Sequence, residues 1–283
     1  MANDMRGKIC LVTGATNGIG EVAARRLAEM GAEVLVHGRS AEKGARTVDT
    51  IRTATGNPNV SFVQADFASL AQVRTLADTI KAKTGKLDVL INNAGAIHLK
   101  RQLSTDGYEL TFAANHLAPY LLTLLLLDTV KGAASARIVN VSSTAHHRGE
   151  VRLDDLQTTS GYEGFPVYGT SKLCNIYFTR SLARRLAGTG VTVNALHPGL
   201  VYTGFGSNTF WIGLLMKLGR FATISAEEGA KTIVYLATSP EVEGKSGGFY
   251  EKCAPAQISQ RAQDDALGER LWAESAKLVG LPA

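Results

Sequence analysis

The chain has 283 residues, 45% of them hydrophobic and 19% charged, and 30 basic against 25 acidic residues give a net charge of +5. These figures exclude a disordered chain, and a core of this size needs no disulfide or metal staple. The charges are scattered without a basic run, which argues against a nucleic-acid partner. The three cysteines, Cys10, Cys174 and Cys253, match neither a zinc pattern nor a disulfide framework. A reducing compartment is the simpler inference, and the expectation is a cytoplasmic protein.

The first strand pattern, Lys8 to Thr13, starts so near the N-terminus that no signal peptide or transmembrane anchor is expected. Gly20 to Met30 has helical spacing and Gly31 follows as a stop. Glu33 to His37 reads as a strand, Ser40 to Thr53 as a helix, Val60 to Gln64 as a strand and Leu70 to Thr84 as a helix. Leu87 to Asn92 is the fourth strand, Tyr108 to Val130 a long helix and Ala136 to Ser142 the fifth strand. The most apolar run, Tyr120 to Leu127, is far shorter than the ~18–20 residues a spanning helix needs. Val167 to Leu186 is helical, Val191 to Leu196 a strand, Glu227 to Thr238 helical and Gly248 to Glu251 a last short strand. Strands separated by helical crossovers predict an α/β fold: a mostly parallel, doubly wound sheet with helices on both faces. No linker or repeat divides the chain, so a single domain is expected.

Directly after the first strand stand Thr13-Gly14-Ala15-Thr16-Asn17-Gly18-Ile19-Gly20. Glycines in a strand-to-helix turn let the backbone approach a ligand, and the helix N-terminus presents N–H groups to a pyrophosphate. The turn lacks the Lys-Ser/Thr ending of a P-loop, which argues against nucleotide hydrolysis. Arg39 ends the second strand about 25 residues after Gly14, where an acidic residue would hold a ribose 2′-hydroxyl. Its guanidinium suits a 2′-phosphate instead, so NADP(H) is expected over NAD.

Tyr168 and Lys172 stand at i and i+4, on one helix face. A nearby ammonium favours phenolate, so Lys172 is expected to bring Tyr168 down from its ordinary pKa of about 10. Asn92-Asn93-Ala94-Gly95, Ser142-Ser143 and His197-Pro198-Gly199 close three strands whose ends meet at one crevice in a doubly wound sheet.

With TGATNGIG, NNAG, VNVSS, YGTSK and HPGLVYT in this order, the chain strongly resembles the short-chain dehydrogenase/reductase superfamily from Lys8 to about Tyr250. NHLAPYLLTLLL and RIVNVSSTAHHRG look most like the retinol dehydrogenase-like branch. The resemblance implies a Rossmann-type oxidoreductase that moves a hydride between nicotinamide and the carbonyl or alcohol carbon of a hydrophobic substrate, without a metal. Tyr168 would be the acid/base and Lys172 would bind the nicotinamide ribose. Ser143, or Ser142 if the alignment slips by one, would orient the substrate oxygen. Asn115 would hold a water in a proton relay, and Pro119, lacking an N–H, would leave the Asn115 carbonyl free for it. Gly14, Thr16, Asn17, Gly18, Ile19, Gly20 and Arg39 would hold the phosphates. Asp66 and Phe67 would meet the adenine, and Asn93, Ala94 and Gly95 would line the ribose. Pro198, Gly199, Val201 and Thr203 would hold the carboxamide. His146 and His147 read as loop residues, and His116 as pointing away from Asn115.

The segment at about 203–226 is rich in apolar residues, Phe210 and Trp211 among them. It reads as a lid over a hydrophobic substrate, as a helix packed on the body, or as a face for a membrane or partner. A helical tail is expected at about 262–279. Homo-oligomers through the helices at Tyr108–Val130 and Val167–Leu186 are implied for the family, and the tail is a feature that can change this. The other readings are a catalytically silent NADP-binding regulatory or scaffold protein, and a lyase or epimerase of the same family.

Overall fold

The structure is a computed structural model that describes residues 4–199 and 224–282. Nearly all of the expected lid, with Val201, Thr203, Phe210 and Trp211, lies outside the described residues.

Eight strands form one sheet. β1 (Ile9–Val12), β2 (Glu33–Gly38), β3 (Val60–Gln64), β4 (Val89–Asn92), β5 (Arg137–Val141), β6 (Thr192–His197) and β7 (Phe249–Glu251) run parallel, and β8 (Ala254–Pro255) pairs antiparallel at the edge. Their order is β3-β2-β1-β4-β5-β6-β7-β8. The apolar runs of the strands are buried on both faces, and alternate residues serve opposite cores. Leu11, Leu35, Leu90 and Ile138 face α3 (Leu70–Lys83) and two further helices, α5 (Ala118–Leu125) and α7 (Gly164–Arg185). Cys10, Val12, Val34, Val36, Val89, Ile91 and Val139 face α1 (Gly18–Glu29), α2 (Ala41–Thr55) and α8 (Ala226–Thr238). Ser40, Ser69 and Ser225 cap α2, α3 and α8 by accepting backbone N–H groups three residues on. Among the described residues no helix is long and apolar enough to cross a membrane.

The expected long helix from Tyr108 to Val130 is broken. Glu109 caps α4 (Leu110–Phe112) by accepting the N–H groups of Thr111 and Phe112. A π-helical turn follows at Ala113–Leu117, then α5, with Pro119 in its first turn, and α6 (Leu127–Lys131). Pro119 has no N–H to return to Asn115, and the helix widens just before it, so that Ala118 N–H reaches Ala113 carbonyl.

The tail helix, α9 (Asp265–Leu278), packs across α7 and α5. Trp272 stacks on Phe178 at 5.8 Å and meets the Tyr120 ring at 5.1 Å, with the Arg185 guanidinium 4.0 Å over it. The Tyr120 hydroxyl donates to the Trp272 carbonyl, and Arg180 and Arg184 pair with Asp265. The tail thus covers part of the helices through which subunit contacts were expected. Trp272→Ala should lower the unfolding free energy in urea by about 3 kcal/mol. A loss below about 1 kcal/mol would show that this contact contributes little to holding the tail.

Candidate active site

A parallel sheet brings the C-terminal ends of β1 to β6 to one edge. The strand order changes direction between β1 and β4, so a crevice opens there. Two turns form its floor. Gly14 has φ +63°, and a Cβ on it would lie 2.7 Å from Ala94 Cα. A Cβ on Gly20 would lie 2.4 Å from Asn93 Nδ2. The Thr13 hydroxyl accepts the N–H groups of Asn93 (2.9 Å) and Ala94 (3.0 Å), and the Asn93 amide donates to the carbonyls of Thr13 and Gly14. Thr16 packs its methyl against Gly38, at the end of β2. The N-terminal turn of α1 contains Gly18, Ile19 and Gly20, whose N–H groups have no partner within the helix. Asn17, extended at the N-cap, makes no side-chain capping bond to them.

At the rim Arg39 is exposed, and its guanidinium makes no ion pair among the described residues. Asp66 accepts Ala68 N–H through Oδ1 and gives its own N–H to Gln72. Phe67 is buried and stacked on His37. Pro198 and Gly199 follow β6, and Gly199 has φ +91°.

The second wall is α7. Tyr168 is half-buried and hydrogen-bonded to the Ser143 side chain, just past β5. Lys172 Nζ lies 5.5 Å from the Tyr168 ring centre and donates to the Val141 carbonyl at 3.0 Å. The two serines are now distinguished. Ser142 Oγ donates to the Lys172 carbonyl at 2.7 Å and holds the helix backbone, whereas Ser143 meets Tyr168. Asn115 is fully buried. Its Nδ2 donates to the Ala96 carbonyl and to Ser171 Oγ, its Oδ1 accepts Ala96 N–H, and Ser171 in turn donates to the Tyr168 carbonyl. The Asn115 side chain is therefore committed to holding Ala96 and Ser171. A Cβ on Gly95 would lie 3.3 Å from Lys172 Nζ and 3.4 Å from Asn115 Oδ1, so Gly95 brings the two walls together.

The electrostatics differ from the expectation in one respect. Burial pushes the Tyr168 phenol up to about 12, only partly offset by the Ser143 hydrogen bond. Burial also draws Lys172 down to about 8. The ammonium does not lower the phenol here, because desolvation acts on both groups and Nζ is turned to the Val141 carbonyl.

Of the histidines, His116 faces Ser275 of α9, away from the Ala96 side on which Asn115 acts. His146 follows β5 as expected, but it is not exposed. It is fully buried in a 3-10 turn, with Nδ1 2.7 Å from the Ser143 carbonyl, and Nε2 accepts Ser259 N–H. Sequence reasoning also missed His37 and Ser171. Only Ser171 had a local signal, its place inside YGTSK.

A family model described as short chain dehydrogenase matches residues 8–210. The chain is 40% identical to mouse (Mus musculus) retinol dehydrogenase 12 over 275 residues, covering 97% of this chain and 87% of that protein. It is 41% identical to human (Homo sapiens) retinol dehydrogenase 14 over 295 residues, covering 98% and 88%. An uncharacterised protein from Mycobacterium paratuberculosis superposes with a TM-score of 0.82 at 31% identity, covering 100% of this chain and 97% of that one. The RhlG/NADP active-site complex of Pseudomonas aeruginosa superposes with a TM-score of 0.71 at 26% identity, covering 87% and 94%. Fold, motifs and relatives agree, and the chain belongs to the short-chain dehydrogenase/reductase family, in its retinol dehydrogenase-like branch.

Proposed function

We propose that this oxidoreductase uses NADP(H) to interconvert the carbonyl and alcohol forms of a hydrophobic substrate at Tyr168. The observation that carries the reading is the hydrogen-bonded Ser143–Tyr168 pair beside buried Lys172, at the mouth of a glycine-floored crevice. The residues present fit a dinucleotide, since Gly14 and Gly20 leave open backbone where a side chain would collide, and Gly95 sets Lys172 and Asn115 close beside it. Thr16, Asn17 and the first turn of α1 would hold its pyrophosphate, Arg39 its 2′-phosphate, and Asp66 and Phe67 its adenine. Asn93, Ala94, Gly95 and Lys172 would hold its ribose, and Pro198 and Gly199, with Val201 and Thr203, its carboxamide. When bound, the cofactor supplies or accepts the hydride. The named relatives are retinol dehydrogenases, whose substrate is a hydrophobic alcohol, and one structural neighbour is an NADP complex; both support the reading.

The chain's own groups then divide the work. Tyr168, a phenol at neutral pH, donates its proton to the carbonyl oxygen. The Ser143 hydroxyl donates a second hydrogen bond to the same oxygen and stabilises the negative charge that develops on it. In the oxidative direction Tyr168 must first lose its proton, and the Ser143 hydrogen bond favours that form. Asn115 holds Ala96 and the Tyr168 turn in place. The apolar segment at about 203–226 would exclude water above the substrate. The free thiols of the three cysteines fit a reducing compartment, which we read as the cytoplasm. A silent scaffold is not favoured by a site whose proposed donor pair is already assembled.

Tyr168→Phe should lower kcat about a thousand-fold with NADPH and a panel of retinoid, steroid and long-chain aldehydes or ketones, while NADPH still binds. Substantial residual turnover would contradict the role. Arg39→Asp should reverse the preference from NADPH to NADH, and an unchanged preference would remove Arg39 from the 2′-phosphate site. The pH dependence follows from Lys172, whose pKa lies at about 8. Below that value it is the ammonium and Tyr168 is the phenol, the pair that reduction needs. Above it the ammonium is lost. Reductive kcat/KM should therefore be level near neutrality and fall above about pH 8, and a rate still rising there would contradict the assignment.

A further inference from the structure

His37 is buried in the crevice wall, only 3% exposed, and takes no part in the chemistry above. Its ring nevertheless joins both segments that would carry the adenosine half of the cofactor. Nδ1 accepts the N–H of Gly14, the first glycine of the turn after β1, at 3.2 Å. An accepting Nδ1 bears no proton, so the proton is on Nε2, which donates to the Ala65 carbonyl at 3.2 Å, beside Asp66. The ring also stacks on Phe67, with centroids 4.6 Å apart and planes 25° from parallel. The main chain adds a third tie, since the His37 carbonyl accepts Ala15 N–H at 2.9 Å. Burial draws the imidazole down to about 4, so it is neutral near pH 7 and keeps both roles.

A neutral ring of one tautomer meets both partners. A cation would put a second donor against Gly14 N–H, and a hydrocarbon would leave that N–H and the Ala65 carbonyl unpaired. Gly14 and Ala15 N–H are thus committed to His37, and the phosphate donors fall to the first turn of α1.

We propose that His37 is a positioning residue for the adenosine half of the cofactor, fixing the distance between the turn at Gly14 and the loop at Ala65–Phe67. This inference rests on the NADP(H) reading of the crevice. It places His37 upstream of affinity and not of the chemical step, because Tyr168 and Ser143 belong to α7 and the end of β5.

Nitrogen-15 NMR of the histidines in the cofactor-free wild-type protein should show His37 protonated at Nε2 and bare at Nδ1 at neutral pH. The opposite tautomer, or a cation, would overturn the inference. NADPH titration by fluorescence and 2′,5′-ADP titration by calorimetry should then be run on wild type, His37→Phe and His37→Asn. The Phe variant keeps the stacking and loses both side-chain hydrogen bonds, so both ligands should bind about ten-fold more weakly. The Asn variant retains an acceptor where Nδ1 stands and should remain within about three-fold of wild type. With the carbonyl compound turned over fastest, kcat at saturating NADPH should stay within about two-fold of wild type in both variants. Equal affinities in Phe and wild type, or a kcat that falls as far as the affinity, would refute the role of His37. If the Phe variant does not fold, the tautomer and the Asn variant decide. Wild-type protein that binds neither ligand would instead refute the cofactor reading.

Discussion

The crevice depends on two turns, after β1 and β4, packed closer than any side chain at Gly14 would allow. The Thr13 hydroxyl and the Asn93 amide hold them with hydrogen bonds to backbone, which keeps those buried groups paired. From there a chain of contacts leads to the chemistry. Gly95 lies against Lys172 and Asn115, Asn115 grips Ala96 and Ser171, and Ser171 grips the turn of α7 that carries Tyr168. The crevice floor and the helix that carries the phenol are thus joined through paired polar groups.

A second buried network anchors α7 from below. The parallel register sets Asn92 opposite Asn140. Asn92 Nδ2 donates to Asn140 Oδ1 at 2.8 Å and to Thr123 Oγ1, and Asn140 Nδ2 donates to Thr179 Oγ1. Two strands and the helices α5 and α7 are thereby tied through polar groups that would be costly to leave unpaired. The same dry surroundings raise Tyr168 and lower Lys172, so the resting pair is phenol and ammonium near neutrality, the state suited to reduction.

The fold was legible because buried parallel strands read as short apolar runs and their crossovers as amphipathic helices. The glycine turn and the Tyr168–Lys172 spacing were legible because backbone clearance and helical periodicity each leave a local mark. Pro119 showed that the helix backbone must change near Asn115, but not that the change is a π-helical turn. The division between Ser142 and Ser143, the burial of His146 and the double hydrogen bonding of His37 depend on partners far away in the chain. No local pattern encodes such partners. The direction of the Tyr168 shift was misjudged for a related reason: i, i+4 spacing shows proximity to a charge, while desolvation comes from the whole packed environment.

The most direct test of the account is a crystal structure with NADPH and a carbonyl ligand. The ligand oxygen should lie within hydrogen-bond reach, about 3 Å, of both the Tyr168 and Ser143 hydroxyls, with its carbon facing the nicotinamide ring. A nicotinamide bound on another face of the sheet, or a Tyr168 hydroxyl pointing away from the ligand in every copy, would contradict it.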